Sequence, residues 1–354
     1  MEHFSYGLLE VARQLRGYTQ KEAAELIGVS QGKLSKAENQ LQSLPDDVIA
    51  KIARVYDLPT SFFCRVEDRS AEEHFYFRRK VTIPVKTIES FKAQIQVLKL
   101  VLDDILSPIE LPECTLPTLS PKEYPIKDIA ATIRQKLGIG YGPVPNLTSI
   151  LEKNGILVFK FDFGTNQLDG LSSITSSGHK IIFLNNQMPN DRNRFSLAHE
   201  IGHIVMHIGQ GQPGSEELER EANEFASAFL MPEDEIGIML ANLNLATLAE
   251  LKRRWRVSMR ALIRRARDLN CLSDQGYRSF QISFSRLGYT KEEPVAIPVE
   301  TPTVIRDSIS LYKRELGYSD LDIMKVMRIN RADYYKWFKV ATVLPLSFKM
   351  TLDK

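Results

Sequence analysis

Cysteine is scarce in this chain. Cys64, Cys114 and Cys271 are the only three among 354 residues, they lie far apart, and no CxxC pair occurs. That argues against a cysteine-built zinc site and against a disulfide framework. Long apolar runs are missing as well: nowhere do about eighteen uncharged apolar residues follow one another, the length a membrane-spanning helix needs. The first residues, MEHFSYGLLEVARQLRG, are mixed in charge and lack the apolar stretch of a signal peptide. An excess of one charge is also absent, with 46 Lys and Arg against 44 Asp and Glu. Nucleic acid and protein both stay open as partners, because local patches matter more than the sum. A soluble, cytoplasmic protein without membrane contact is expected. With 43% hydrophobic and 25% charged residues the composition is globular, and the length suggests two or three domains.

What is present begins with short helices. Leu8, Val11, Ala12 and Leu15 mark the first. Thr19, with Glu22 three residues on, forms a capping box for a second, along which Ala23, Leu26 and Ile27 are expected to face a core. Gly28 stops that helix, Val29 packs, and Ser30 caps a third beginning QGKLSKAE. Helix, tight turn and capped helix make a helix-turn-helix; a generic bundle would share the periodicity but not need the GVSQ turn. In a double-stranded DNA operator the helix after Ser30 would enter the major groove. Gln31 suits adenine and Lys33 guanine or phosphate, while Gln20 and Lys36 suit the backbone. Residues 1–64 hold seven Lys and Arg against eight Asp and Glu, so affinity should depend on a second contact, most simply a homodimer. YTQKEAAELIGVSQGKLSKAEN resembles the XRE (Cro/CI-type) helix-turn-helix family over the whole segment.

A basic, aromatic stretch, HFYFRRKVTIPVK, precedes a long helical pattern, TIESFKAQIQVLKLVLDDIL, read as a connector or dimerisation element. The run FRRK is read as a solvated basic face before a phosphate contact. The proline-rich SPIELPECTLPTLSPKEYP then marks a boundary near residue 125. Beyond it IKDIAATIRQKLGI reads as helix, and residues 155–161, 168–175 and 179–185 as strands. Next comes NDRNRFSLAHEIGHIVMHIG, a helix with Asn190 as its expected cap, holding three of the six histidines.

His199 and His203 sit four residues apart, so both rings face one side of a helix and can bind one ion. Glu200 is displaced by about 100° and stands beside that ion, where a carboxylate can accept a proton from an activated water. A catalytic zinc normally takes three protein ligands and keeps an open position. The helix EELEREANEFASAFLMP supplies the third. Glu219 shares a face with Ala222, Asn223 and Ala226 and is the expected ligand, with Asn223 as its supporting partner. Glu221 is the alternative; Glu216 and Glu224 look solvated, and His207 fits either an oxyanion contact or packing. RFSLAHEIGHIVMH followed by EREANEFASAFLMP resembles the ImmA/IrrE family of zinc metallopeptidases, and the likeness extends over roughly residues 126–275. It implies His199, His203 and Glu219 as ligands and Glu200 as catalytic acid/base. It also implies a regulator, in stress response or mobile elements, that cleaves a protein substrate such as a repressor or toxin, or itself. Zinc is the expected metal, with manganese left open by ligand type alone. The alternative is a transcription factor or antitoxin-type regulator whose metal-binding domain senses or scaffolds without proteolysis.

Further on, LKRRWRVSMRALIRRAR carries eight Arg and Lys and no acid, and breaks at RVS like a helix-turn-helix. Packing of Trp255, Leu262 and Ile263 with the arginines outside accounts for it as well as nucleic-acid contact does. EEPVAIPVETPT (292–303) reads as a linker. Residues 316–338 then align without gaps to 16–38, with Gly317, Tyr318, Ser319, Asn330 and Lys336 matching Gly17, Tyr18, Thr19, Ser30 and Lys36. Arg328 replaces Gly28 and two tyrosines occupy the recognition positions, which suits protein contact or dimerisation better than base reading. The expected class is mainly α with a small β-sheet (α+β). Its segments are 1–66 (helix-turn-helix), 67–125 (connector and linker), 126–275 (zincin-like) and 276–354 (linker and helical tail).

Overall fold

Local capping shapes the first module. In the computed structural model, which describes residues 4–65, 84–207 and 215–338, α1 (Gly7–Leu15), α2 (Gln20–Ile27), α3 (Gln31–Glu38) and α4 (Asp46–Val55) form a small bundle. Thr19 and Glu22 make the reciprocal capping box of α2, and Gly28 ends that helix at φ 80°. Ser30 Oγ accepts from the backbone N–H of Lys33 and caps α3. Ala23, Ala24 and Ile27 are buried, but Leu26 is 57% exposed. The expectation for Leu26 fails because α2 is two turns long and packs through a narrow stripe that Ala24, not Leu26, completes.

After a 3₁₀ turn at Thr60–Cys64, α5 (Val85–Leu106) runs through the protein. Phe91, Ile95, Leu98, Val101, Leu102 and Ile105 are all buried. Apolar positions surround the helix, so the segment read as a connector or dimerisation element is a core helix. Most of the HFYFRRKVTIPVK stretch, including FRRK, lies outside the described residues.

Then follow α6 (Ile126–Lys136), α7 (Leu147–Lys153), β1 (Ile156–Phe161), β2 (Gly170–Ile174) and β3 (Lys180–Asn185). The sheet order is β1-β3-β2, with β1 parallel and β2 antiparallel to β3, so β2 is an edge strand. Both faces are covered, as expected where strands are near-continuous apolar runs. Leu157, Phe159, Phe161, Ile181 and Phe183 face a core shared with α1–α5. Ile156, Val158, Ile182 and Leu184 face a second core. That core is built with α8 (Asn190–Met206), α9 (Glu216–Leu230), α10 (Glu233–Ile236), α11 (Leu245–Trp255), α12 (Met259–Asp268) and α13 (Asp274–Arg286). Asn190 is the first helical residue of α8 and does not cap it; the cap position belongs to Pro189. Trp255, Leu262 and Ile263 are buried, and Arg260, Arg264 and Arg267 are exposed beside them. Arg265 is the exception: it is buried and donates to the Met231 carbonyl at 3.0 Å.

Residues 292–303 are a strap held down by carboxylates, not a free linker. Glu293 accepts from Lys252 Nζ and the Met259 N–H, both at 2.7 Å. Glu300 is bound by Arg194 and by the Thr148 N–H at 3.0 Å. Glu152 receives the N–H groups of Thr303 and Val304 at 3.0–3.1 Å, at the start of α14 (Val304–Leu316).

The tail reproduces the first module's turn. Gly317 ends α14 at φ 66°, and Ser319 with Asp322 boxes the start of α15 (Asp320–Val326). Arg328 takes the left-handed conformation of Gly28 at φ 48°. Asn330 Oδ1 accepts from the Asp333 N–H at 2.7 Å, at the start of α16 (Arg331–Phe338). The N-terminal half of α16 is turned inward. Asp333 forms a bidentate pair with Arg16 at 2.6 and 3.0 Å, and Asn330 donates to Asp57. Arg65 donates to the Met327 carbonyl at 2.6 Å. Through these bonds the tail packs on the chain's own first module.

Candidate metal centre

α8 and α9 cross closely enough to share side chains, and Gly202 explains why. A Cβ there would lie 3.3 Å from Ala222 Cα and 3.1 Å from Phe225 Cδ1. Any larger residue would hold α9 away from the histidines one step along. At this crossing His199 and His203 on α8 meet Glu219 on α9. The two Nε2 atoms are 3.1 Å apart. Glu219 Oε2 is 3.4 Å from His199 Nε2, and Oε1 is 3.4 Å from His203 Nε2.

These residues fit a zinc ion. Around a tetrahedral centre with bonds of about 2.0–2.1 Å, ligand atoms stand roughly 3.3 Å apart, close to the separations observed. Both oxygens of Glu219 are buried without a hydrogen bond of good geometry among the described residues, facing two ring nitrogens. That is a costly arrangement unless a cation or proton sits between them. His199 and Glu219 keep 13% and 14% exposure while His203 has none, so the cluster opens on one side. The opening gives onto a cleft of about 2090 Å3 whose wall includes Asp169, Phe195, Glu219, Asn223 and Arg260.

Electrostatics set the groups apart. Burial alone would raise Glu219, but His199 and His203 outweigh it and hold the carboxyl far below its ordinary range. Burial pushes His203 down to about 4, so the ring is neutral and its nitrogens are usable as ligands. For His199 burial is outweighed by Glu219, Glu200 and Asn223, and the net direction is upward. Glu200 is pushed up to about 7 by burial, against the opposing influence of His199 and Ser172. It lies against edge strand β2, where its Cγ is 3.4 Å from the position of a Cβ on Gly170. A carboxylate with that value takes and returns protons near neutral pH.

The other expectations sort plainly. Glu221 is not with His199 and His203; its Oε2 is 3.0 Å from His207 Nε2. His207 in turn stands with Nδ1 2.8 Å from His203 Nδ1, behind that ring and away from the opening. Asn223 donates to the Glu219 carbonyl at 2.6 Å. Glu216 and Glu224 are exposed. Gly170 and Ser172 were not anticipated beside Glu200; the alternation of residues 168–175 was their only signal. In the first module Gln31 and Lys36 are exposed, Lys33 is half-buried and Ser30 serves as the cap. Gln20 is half-buried, and its amide donates to Glu38 at 2.8 Å, beside the buried Arg13–Glu38 pair. No helix among the described residues is long and apolar enough to cross a membrane.

Residues 151–267 match the family model of the IrrE N-terminal-like domain, a peptidase family. Residues 9–63 match a helix-turn-helix family model. Among curated proteins, the HTH-type transcriptional regulator ImmR of Bacillus subtilis (strain 168) is 37% identical over 54 residues. That stretch covers 15% of this chain and 42% of the relative, so the chain spans less than half of the protein it matches.

Proposed function

From a chain that carries an XRE-type helix-turn-helix domain and an IrrE-like peptidase-family domain, we propose a DNA-binding regulator that cleaves a regulatory protein with a metal-dependent site. The observation that supports this most is the meeting of His199, His203 and Glu219 beside the buried Glu200. We assign zinc to the three donors. When bound there, the ion supplies Lewis acidity toward a peptide carbonyl and a water. Glu200 takes the proton of the attacking water and returns it to the departing amine. The edge of β2, unpaired among the described residues and running past Glu200, suits an extended peptide added as a further strand. The same reading gives Gln31 and Lys33 to base edges and Lys36 to phosphate, with Ser30 holding the helix start. Gln20, whose amide also donates to Glu38, is given to the DNA backbone with Lys36. A homodimer, a repressor or toxin as substrate, and the four-segment division of the chain belong to the same proposal.

The test is Glu200→Gln in the full chain, assayed against the repressor or toxin encoded beside its gene. The variant should keep wild-type zinc content and operator affinity and lose cleavage of that protein. Operator control that persists unchanged in the variant would sink the peptidase reading in favour of a metal-binding sensor or scaffold.

A further inference from the structure

Behind the three donors lies a second line of polar groups that the cleavage reading leaves unused. His207 closes α8, its N–H bonded to the His203 carbonyl at 2.9 Å and its ring 1% exposed. The Nδ1 atoms of His203 and His207 are 2.8 Å apart, and His207 Nε2 is 3.0 Å from Glu221 Oε2. We infer that His207 and Glu221 are a positioning pair that fixes the tautomer and orientation of His203, leaving its Nε2 lone pair turned toward His199 and Glu219.

Hydrogen bonding orders the protons from the carboxylate inward. An ionised carboxylate only accepts, so His207 Nε2 carries that ring's proton. With one proton per ring, His207 Nδ1 is then an acceptor, and the proton between the two rings belongs to His203 Nδ1. What remains on His203 Nε2 is a lone pair, 3.1 Å from His199 Nε2 and 3.4 Å from Glu219. A ring held in the other tautomer would aim an N–H at the same point and could not ligate a cation. Outer partners of this kind fix ligand histidines and are worth roughly 10–100-fold in metal affinity. Glu221, set aside as a ligand by the geometry, gains a role one residue further out. With His207 merely packed there, the Glu219 carboxylate 3.4 Å from His203 Nε2 would draw the proton to that nitrogen, giving the tautomer that cannot ligate.

This inference rests on the metal-site reading, and the experiment separates the two. Full-length protein labelled with ¹⁵N-histidine and stripped of metal is examined by long-range ¹H–¹⁵N correlation, with His203→Gln assigning the signal. His203 is expected as the Nδ1–H tautomer. Zinc affinity is then measured by competition with a chromophoric chelator. His207→Phe and Glu221→Leu should each weaken zinc by about 10–100-fold, while Glu221→Gln, whose amide oxygen still accepts, stays within roughly threefold of wild type. An Nε2–H tautomer in the wild-type protein overturns the inference, as does unchanged zinc affinity in both His207→Phe and Glu221→Leu. Should these variants lose their helical circular dichroism, the wild-type tautomer alone decides. Wild-type protein that takes up no zinc refutes the metal site itself and leaves the tautomer as a separate result.

Discussion

Cutting the link between Arg16 and Asp333 tests whether the tail and the DNA-binding module behave as one body. Asp333 is 5% exposed and Arg16 19%, and two hydrogen bonds join them. Removing one partner of a fully buried pair costs about 3–5 kcal/mol. Arg16 keeps bonds to the carbonyls of Tyr56 and Asp57 and some contact with water, so the figure for Asp333→Asn falls to about 2–3 kcal/mol. A double-mutant cycle with Arg16→Gln should return a coupling of about 1.5–2.5 kcal/mol. The assay is urea unfolding followed by tryptophan fluorescence. The chain has two tryptophans, so Trp255→Phe leaves Trp337, on α16, to report on the tail. A coupling below about 0.5 kcal/mol, the value of an exposed pair, would refute the claim that this contact docks the tail.

Burial pushes Glu152 up to about 7 from its ordinary 4.5, against the N–H groups of Thr303 and Val304. Between those values the folded chain holds a proton that the unfolded chain has released, so stability falls as pH rises, by about 1.4 kcal/mol per unit. Glu152→Gln should flatten the unfolding free energy between pH 4.5 and 7, measured side by side with wild type. In the first module, Gln31→Ala should cost about 1–3 kcal/mol on an operator selected from random duplexes and leave the salt slope alone. Lys36→Ala should weaken all duplexes alike and lower that slope by about one; gel-shift titrations at several salt concentrations check both.

Local signals were legible from the sequence because their causes are local. The Thr19–Glu22 box, the stop at Gly28 and the cap at Ser30 stand where they were expected. The strands were placed within two residues of their observed ends. Helical phase also brings Glu219, and not Glu221, to the histidines. What escaped reading depended on distant partners. The carboxylates of Glu293 and Glu300 bind groups far away in sequence, so 292–303 looked like a linker. The apolar surround of α5 was visible, but nothing local told a buried helix from a self-associating one. Arg328 shows that glycine is not required for the turn: a capped helix start and a buried Ile329 hold an arginine at φ 48°.

The core that α1–α4 share with the tail also imposes an order in time. Asp333 follows Arg16 by 317 residues. At about 5–20 residues per second, a ribosome delivers the partner of Arg16 roughly 15–60 s after Arg16 itself. For that interval the face of the first module formed by Arg16, Asp57 and Arg65 is complete in sequence but uncovered. A nascent chain therefore presents its helix-turn-helix before the surface behind it is closed, and the finished protein is the first form in which both are settled.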